Sequence, residues 1–202
     1  IDNKIIETAN KAVSKWFAYQ NSIELGFVMH AVREFNPEII LEIGTAFNSS
    51  IACWAEAAHP QLAIGIDPLT LPKTEAQQKV FDNLKEEYKL KIIPHKSEDP
   101  ESHRQLKEIL NGRKVDFLFI DGEHIYENVK YDFENYIQYM NTPSIIGFHD
   151  IYYSKVLDKA GTGVWRIWEE VKKIYSYDEI HYHSSMGIGL IYYPTLRADM
   201  QE

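Results

Sequence analysis

Short apolar runs alternate with helical segments along most of this chain, and that alternation constrains its fold more than any other feature. Five runs are apolar almost throughout, at 39–44, 62–66, 90–93, 115–120 and 144–148. A short continuous apolar run is typical of a strand that is buried on both faces. Strands joined by helical crossovers run parallel, with helices covering both faces of the sheet. We therefore predict an α/β domain built on a parallel sheet.

The segments between these runs carry apolar residues at helical spacing. The last two apolar runs, 179–183 and 187–193, are separated by too few residues for a crossover helix and must pair antiparallel. We predict one domain over 1–202, with an N-terminal helical preface at 1–36 and a Rossmann-like core at 37–193. Its sheet has seven strands, mostly parallel, with a terminal antiparallel pair. The expected helices cover 4–19, 22–34, a segment ending near 59, 74–88, 100–110, 125–140 and 163–175.

Composition narrows the range of partners. Lys and Arg number 21 against 30 Asp and Glu, a formal charge of −9 that disfavours binding to a phosphate backbone. Cys53 is the only cysteine, which fits a reducing compartment and excludes a disulfide scaffold. No apolar stretch approaches the roughly 20 residues that a membrane span needs. We expect a cytoplasmic protein without nucleic-acid or membrane partners, and leave open whether a segment precedes Ile1.

In such sheets, ligands bind beyond the carboxyl ends of the strands. Gly44 follows the first strand, where a glycine lets the backbone approach a ligand closely. Asn48 or Ser49 is expected at the start of the next helix, whose free N–H groups favour an anion. Asp67 follows the second strand and is placed to accept both hydroxyls of a ribose. Together these positions predict a nucleoside site.

Polar residues also follow the third, fourth and fifth strands. After the third, Ser97 and Glu98 are placed to contact an adenine edge, or else Ser97 or Asp99 caps the next helix. After the others come Asp121 and the pair His149 and Asp150, which neighbouring parallel strands would bring together. This set fits either a divalent cation or a hydrogen-bonded Asp–His cluster, and the cation is favoured.

Four segments resemble class I S-adenosylmethionine-dependent methyltransferases. The similarity is strongest to the metal-dependent O-methyltransferases grouped with the cephalosporin-biosynthesis and macrolide-sugar enzymes. It covers about 22–192, and its most specific part is the run at 119–126. The segments are 41–45 (LEIGT), 65–67 (GID), 119–126 (FIDGEHIY) and 147–151 (GFHDI), and 163–168 (GVWRIW) also matches.

The resemblance implies that S-adenosylmethionine is the cofactor and that Mg²⁺ or a similar ion assists. The ion would be held by Asp121, His149 and Asp150, and the cofactor by the first four loops at the strand ends. The residues expected at the cofactor are Glu42, Gly44, Thr45, Asn48, Ser49, Asp67, Ser97, Glu98 and Asp121.

Two positions depart from the family pattern. Asn48 stands where a second glycine is usual, and asparagine tolerates left-handed backbone angles better than most residues. His149 stands where the family often has an acid, which suits Mn²⁺, Fe²⁺ or Zn²⁺ at least as well as Mg²⁺.

The predicted function is transfer of a methyl group to the hydroxyl of a small molecule, such as a sugar, a catechol or a natural-product phenol. Asp121, His124 and His149 are the expected catalytic residues, with a histidine accepting the hydroxyl proton. Tyr126, Tyr152, Tyr153 and Trp165 either shape the acceptor pocket or belong to core and rim.

Two other functions remain open at this stage. A nicotinamide-dependent oxidoreductase shares the sheet and the ribose acid, but residues 44–49 lack the second glycine of its phosphate-binding turn. A catalytically inactive cofactor-binding or interaction module is the alternative outside enzymes. The N-terminal helices could pair with a second copy in a homodimer, or pack on the sheet.

Overall fold

The fold is described from a computed structural model for residues 1–183 and 185–196, apart from the side chain of Leu157. A seven-stranded sheet has the order β3-β2-β1-β4-β5-β7-β6. Strands β1 to β5 are parallel, and β7 pairs antiparallel with both β5 and β6, which confirms the predicted sheet. The strands are β1 Ile39–Ile43, β2 Leu62–Ile66, β3 Lys91–Ile93, β4 Val115–Ile120, β5 Met140–His149, β6 Tyr175–Ile180 and β7 Ile188–Leu196.

Helices cover both faces of this sheet, because the apolar side chains of each strand point alternately to either face. One buried cluster joins α1, α2 and α3 to the sheet, and a second joins α5, α6 and α8 to the opposite face. The helices are α1 Asn3–Lys15, α2 Ser22–Phe35, α3 Ser49–Ala58, α4 Glu75–Glu87, α5 Pro100–Leu110, α6 Tyr126–Tyr136, α7 Lys155–Lys159 and α8 Val164–Val171.

The strand register brings the carboxyl ends of the parallel strands level. Ile43 of β1 pairs with Ile66 on one side and Ile120 on the other. Ile66 pairs in turn with Ile93, and Ile120 pairs with Phe148. The loops that follow these five residues therefore leave the sheet at one edge, where the site was predicted.

The N-terminal helices pack on the sheet through α3. Leu25, Val28 and Met29 of α2 are buried in the same cluster as Trp54 of α3. The first helix is shorter than the predicted 4–19, since α1 ends at Lys15 and Phe17 takes a left-handed backbone conformation with φ +64°. The residues after α1 are consequently free to cross the edge of the sheet.

The first strand of the C-terminal hairpin has other bounds than the sequence predicted. Strand β6 spans Tyr175–Ile180 and not 179–183, so His181 and His183 lie beyond the strand instead of on one of its faces. The reason is that β6 is the edge strand and is buried on neither face, so its sequence is not an apolar run. The predicted helix at 163–175 ends at Val171, and the loop before it contains the short α7.

Among the described residues, no helix combines the length and the apolar character needed to cross a bilayer.

The contact of Gly189 with Trp168 generates a test of the packing between β7 and α8. A methyl group at Gly189 would lie 2.5–2.7 Å from three atoms of the Trp168 indole, which is itself buried. We expect Gly189→Ala to lower the free energy of unfolding by about 1–3 kcal/mol through overpacking.

The matched variant is Gly26→Ala in α2, where the nearest atom to a new methyl is 3.9 Å away. It should raise stability by roughly 0.5–1 kcal/mol, because alanine favours a helix over glycine. Urea unfolding of both variants measures the difference. Wild-type stability of Gly189→Ala would show that Trp168 can move aside without cost.

Candidate functional site

A cavity of about 510 Å³ opens at the carboxyl edge of the sheet. Its size is that of an ordinary small-molecule site. It is bounded by the loops after the first five strands and by the segment that joins α1 to α2. The lining segments are 17–20, 43–47, 49–50, 66–68, 70–71, 96–98, 121–124 and 149–150.

Gly44 allows the two central loops of the site to touch. Its N–H donates to the carbonyl of Ile66 at 2.8 Å, and the N–H of Asp121 donates to the carbonyl of Ile43 at 2.9 Å. Gly44 has φ +85°, and a Cβ there would lie 2.1 Å from the carbonyl oxygen of Asp121. Only glycine fits this position, because the loop after β4 lies so close. The close approach to a ligand that the sequence predicted for Gly44 stays a prediction.

The turn into α3 survives the replacement of the second glycine. Asn48 precedes the helix with φ +65°, the left-handed conformation expected from its residue type. Its side chain is buried and donates to the carbonyl of Phe81 at 3.3 Å instead of capping the helix. Ser49 lines the cavity, and its hydroxyl donates to the carbonyl of Trp16. Asn48 does not belong to the cavity lining formed by the described residues.

Glu42 lies beneath the cavity and does not line it. It is fully buried, and its two carboxylate oxygens accept hydrogen bonds from the Ser50 hydroxyl at 2.5 Å and the Trp54 indole at 2.6 Å. Burial raises the pKa of Glu42 well above its ordinary range. The structure thus makes Glu42 a support for the start of α3, and direct contact with a cofactor stays a prediction.

Asp67 borders the cavity at the end of β2. Its two oxygens accept hydrogen bonds from the N–H groups of Ala46, at 2.8 Å, and Leu69, at 2.7 Å. Each carboxylate oxygen has a further lone pair, so this fixed group can still accept hydroxyl donors. The hydroxyl of Thr45, which also lines the cavity, is buried without a hydrogen-bond partner among the described residues. Both observations fit a polar ligand in this part of the cavity.

Ser97 and Glu98 line the cavity after β3. The cap of α5 is Asp99, whose side chain accepts the N–H of Glu101 at 2.9 Å. The capping role that the sequence left open for Ser97 is therefore filled by Asp99. Ser97 and Glu98 remain available to a ligand.

The predicted cluster assembles at the ends of β4 and β5. His149 Nδ1 lies 3.1 Å from Asp121 Oδ1 and 3.3 Å from Asp150 Oδ1. His124 joins them, with Nε2 3.5 Å from Asp121 Oδ1 and Nδ1 3.6 Å from Asp150 Oδ2. Ligand atoms of Asp121, His124 and His149 lie within 4.8 Å of one another, close enough to share a cation. The sequence predicted that Asp121, His149 and Asp150 converge. The group that is close enough to share a cation contains His124 in place of Asp150, and the sequence gave His124 a role in proton transfer only.

The charged members of the cluster shift one another's pKa values. Burial opposes ionisation of Asp121, but the charge of His149 and hydrogen bonds from both histidines outweigh it and lower its pKa to about 2. Burial likewise opposes protonation of His149, yet the two carboxylates raise its pKa to about 9. The hydrogen bond to Asp121 raises the pKa of His124. Shifted pKa values of this kind are common at functional sites.

Gln20 was not predicted from the sequence. It lies between α1 and α2, it is buried, and its side-chain amide donates to Asp121 Oδ2. Nearby, Phe17 and Tyr19 pack on Phe47 with ring centroids 6.0 and 5.8 Å apart. The N-terminal segment therefore forms one wall of the site. A glutamine between two helices carries no sequence signal for such a long-range contact.

The aromatic residues considered for the acceptor pocket lie outside the cavity lining that the described residues form. Tyr152 stacks on His181 with centroids 4.0 Å apart, and Tyr153 packs edge-on against Trp165 at 5.1 Å. The Tyr126 hydroxyl donates to Glu170 at 2.8 Å. These contacts are with residues that do not line the cavity either.

Comparison with known families identifies the class. Residues 41–151, more than half of the chain, match a family described as a methyltransferase domain. The chain belongs to this family, which confirms the class expected from the sequence. The matched range contains every residue of the predicted cofactor and cation sites.

Curated relatives are similar over part of their length. The uncharacterized protein y4gI of Sinorhizobium fredii is 26% identical over 175 residues, which cover 83% of this chain and 18% of that protein. An uncharacterized protein of Acanthamoeba polyphaga mimivirus is 34% identical over 118 residues, which cover 54% of this chain and 50% of that protein. The chain thus spans half or less of the length of these relatives.

Solved structures share the fold. An O-methyltransferase from Bacillus cereus, in complex with SAH, has a TM-score of 0.60 at 16% identity, covering 95% of this chain and 91% of that one. The O-methyltransferase TomG from Streptomyces achromogenes, in complex with SAM, has a TM-score of 0.61 at 14% identity, covering 94% and 89%. These likenesses confirm the Rossmann-like methyltransferase fold.

Asp132 of α6 provides a test of electrostatics beneath the site. It is buried, and within the described part of the chain one of its carboxyl oxygens has no hydrogen-bond partner. Burial raises its pKa to about 7 from an ordinary 3.8, against a contact with the Ser97 hydroxyl and with a further contribution from the charge of Glu98. Between those pH values the folded protein binds this proton more tightly than the unfolded chain, so stability falls as pH rises from about 4 to 7.

We expect Asp132→Asn to raise the free energy of unfolding at pH 8 by roughly 1–4 kcal/mol and to change it little at pH 4. Urea unfolding at the two pH values measures the difference. Asp82→Asn, on the exposed face of α4, is the control and should show no such dependence. A pH-independent effect of Asp132→Asn would contradict a neutral buried carboxyl.

Proposed function

We propose that this protein is an S-adenosylmethionine-dependent O-methyltransferase that acts on the hydroxyl of a small molecule with the help of a divalent cation. The observation that carries the proposal is the position of the Asp121–His149 cluster. It borders the same cavity as Asp67 and the Gly44 turn. A methyl donor held by Asp67 and this turn would thus lie close to a group that can deprotonate a hydroxyl.

The residues present fit the cofactor. Asp67 would hold the ribose hydroxyls, because its oxygens are fixed by two backbone N–H groups and retain free lone pairs. Thr45, with its unpartnered hydroxyl, and Ser49 would contact the methionine part, and Ser97 and Glu98 the adenine. When bound, S-adenosylmethionine supplies an electrophilic methyl group. Structures of the same fold that contain SAM or SAH support this assignment.

The donor set of the cluster fits a cation. Asp121 and Asp150 would offer carboxylate oxygens, and His149 would offer an imidazole nitrogen. Such a mixed set suits Mn²⁺, Fe²⁺ or Zn²⁺ at least as well as Mg²⁺. A bound cation would lower the pKa of an acceptor hydroxyl.

The chain's own residues would orient and deprotonate the acceptor. His124 is the most accessible member of the cluster, with 41% of its side chain exposed against 11% for His149. It is therefore the residue we assign to accept the hydroxyl proton and pass it to solvent. Asp121, held by Gln20 and His149, keeps His124 oriented toward the cavity. Methyl transfer needs alignment more than covalent catalysis, so the rigidity of these contacts supports the rate.

The alternatives are less well supported. The turn at Gly44 has Ala46 and Ser49 where a dinucleotide-binding turn has its second and third glycines, so a pyrophosphate would lack its close backbone approach. A module without activity would have no use for the polarised Asp–His cluster beside the cavity. A cytoplasmic location and a homodimer stay predictions, as does the choice among sugar, catechol and phenol.

A pair of isosteric variants separates cofactor binding from chemistry. Asp150→Asn keeps the left-handed backbone that asparagine tolerates but removes a charge from the cluster. It should lower turnover about 10–100-fold and leave the Kd of S-adenosylmethionine within about threefold. Asp67→Asn should weaken that Kd about tenfold or more, because one acceptor oxygen is lost.

Calorimetry measures the Kd, and release of S-adenosylhomocysteine with a panel of hydroxyl acceptors measures turnover. Wild-type protein that binds neither S-adenosylmethionine nor its demethylated product, with Mg²⁺, Mn²⁺ or chelator, would refute the proposal. Binding without turnover on any acceptor would favour the inactive module.

The imidazole in the cluster predicts the order of cation affinities. We expect the wild type to bind Mn²⁺ at least about tenfold more tightly than Mg²⁺. His149→Asp should shift the preference toward Mg²⁺, since it replaces a nitrogen ligand with a carboxylate. Calorimetric titration with each cation measures the ratio. Equal affinities of the wild type for the two ions would argue against His149 as a ligand.

A further inference from the structure

Glu24 is a buried acid that the proposed chemistry does not use. It lies in the first turn of α2 and is fully buried. One carboxyl oxygen accepts hydrogen bonds from the N–H of Tyr182, at 3.0 Å, and from the Ser185 hydroxyl. The other oxygen is buried and has no hydrogen-bond partner in the described part of the chain. A buried carboxyl is costly, so its retention here suggests a role.

The segment that Glu24 holds is the connection between β6 and β7, described at 181–183 and 185–187. This connection packs closely on the residues that follow β5. The carbonyls of Met186 and Gly187 accept the N–H groups of Tyr152, at 2.9 Å, and Asp150, at 3.0 Å. A Cβ at Gly187 would lie 2.4 Å from the Tyr152 ring, so no side chain fits between the two segments.

Asp150 depends on this packing for its conformation. Its φ is +61°, in the left-handed region that non-glycine residues rarely adopt. Such a conformation persists when surrounding contacts enforce it. The hydrogen bond from its N–H to Gly187 is one of those contacts. The orientation of the Asp150 carboxylate toward His124 and His149 therefore rests on the β6–β7 connection.

We propose that Glu24 is a positioning residue of the site. Its carboxyl group anchors the β6–β7 connection to α2, and the connection in turn fixes the backbone of Asp150 and Tyr152. Through these steps α2 sets the geometry of one side of the Asp–His cluster without touching it. The inference deepens the proposed function, since the value of a fixed Asp150 rests on that function.

Three variants test the anchor. Glu24→Ala removes it, Glu24→Gln keeps an acceptor for the Tyr182 N–H, and Ser185→Ala removes one of the two hydrogen bonds. Glu7→Ala, on the exposed face of α1, is the control. The readouts are amide hydrogen exchange at Asp150 and Tyr152, Mn²⁺ affinity, Kd of S-adenosylmethionine, and kcat and KM.

Glu24→Ala should speed exchange of the Asp150 and Tyr152 amides about tenfold or more, because their acceptors are no longer held. It should weaken Mn²⁺ binding about tenfold and lower kcat more than it raises KM, while the Kd of S-adenosylmethionine stays within about twofold. Glu24→Gln should restore most of each value, and Glu7→Ala should match the wild type.

Wild-type exchange at both amides in folded Glu24→Ala would overturn the proposal. If Glu24→Ala does not fold, Ser185→Ala decides, and wild-type exchange in that variant overturns it equally. The exchange readout needs neither an acceptor nor turnover. A wild type that methylates nothing would therefore defeat the proposed function while the exchange result still tests the anchor.

Discussion

The close contact between Gly44 and the backbone of Asp121 and Gly122 is the constraint on which the site depends. Adjacent strands of a sheet lie about 4.8 Å apart, so loops that leave β1 and β4 at the same level can meet only if neither carries a side chain between them. Gly44 meets that condition. Because of it, the ligand cavity and the Asp–His cluster share a wall. Residues that are far apart in sequence therefore line one cavity.

The pKa values of two carboxyl groups at this edge are shifted in opposite directions. Glu42 receives hydrogen bonds only from neutral donors, Ser50 and Trp54, and burial raises its pKa. Asp121 is also buried, but it faces two imidazoles, and its pKa falls to about 2. The neighbours, and not burial itself, decide the direction in which each pKa is shifted. Glu42 is accordingly a structural support, and Asp121 is the fixed charge around which the cluster forms.

The features that the sequence predicted correctly are those that depend on local sequence patterns. The apolar strands and the polar residues directly after them, such as Asp67 and Asp121, follow from burial and from the common direction of parallel strands. The edge strand β6 was misplaced because an edge strand needs no apolar run. Gln20 was missed for a different reason, since a polar residue near a helix end has the same appearance whether it faces solvent or a partner a hundred positions away.

The site residues that the sequence predicted lie inside the family match, and the contacts that it missed come from outside it. Residues 41–151 contain the ligand cavity's central loops and the whole Asp–His cluster. The contacts that close around them come from outside this range, from Gln20 on the N-terminal side and from the β6–β7 connection on the other. A shared core with variable surroundings is how one fold serves many substrates. The flanking segments therefore complete a site whose central loops come from the matched core.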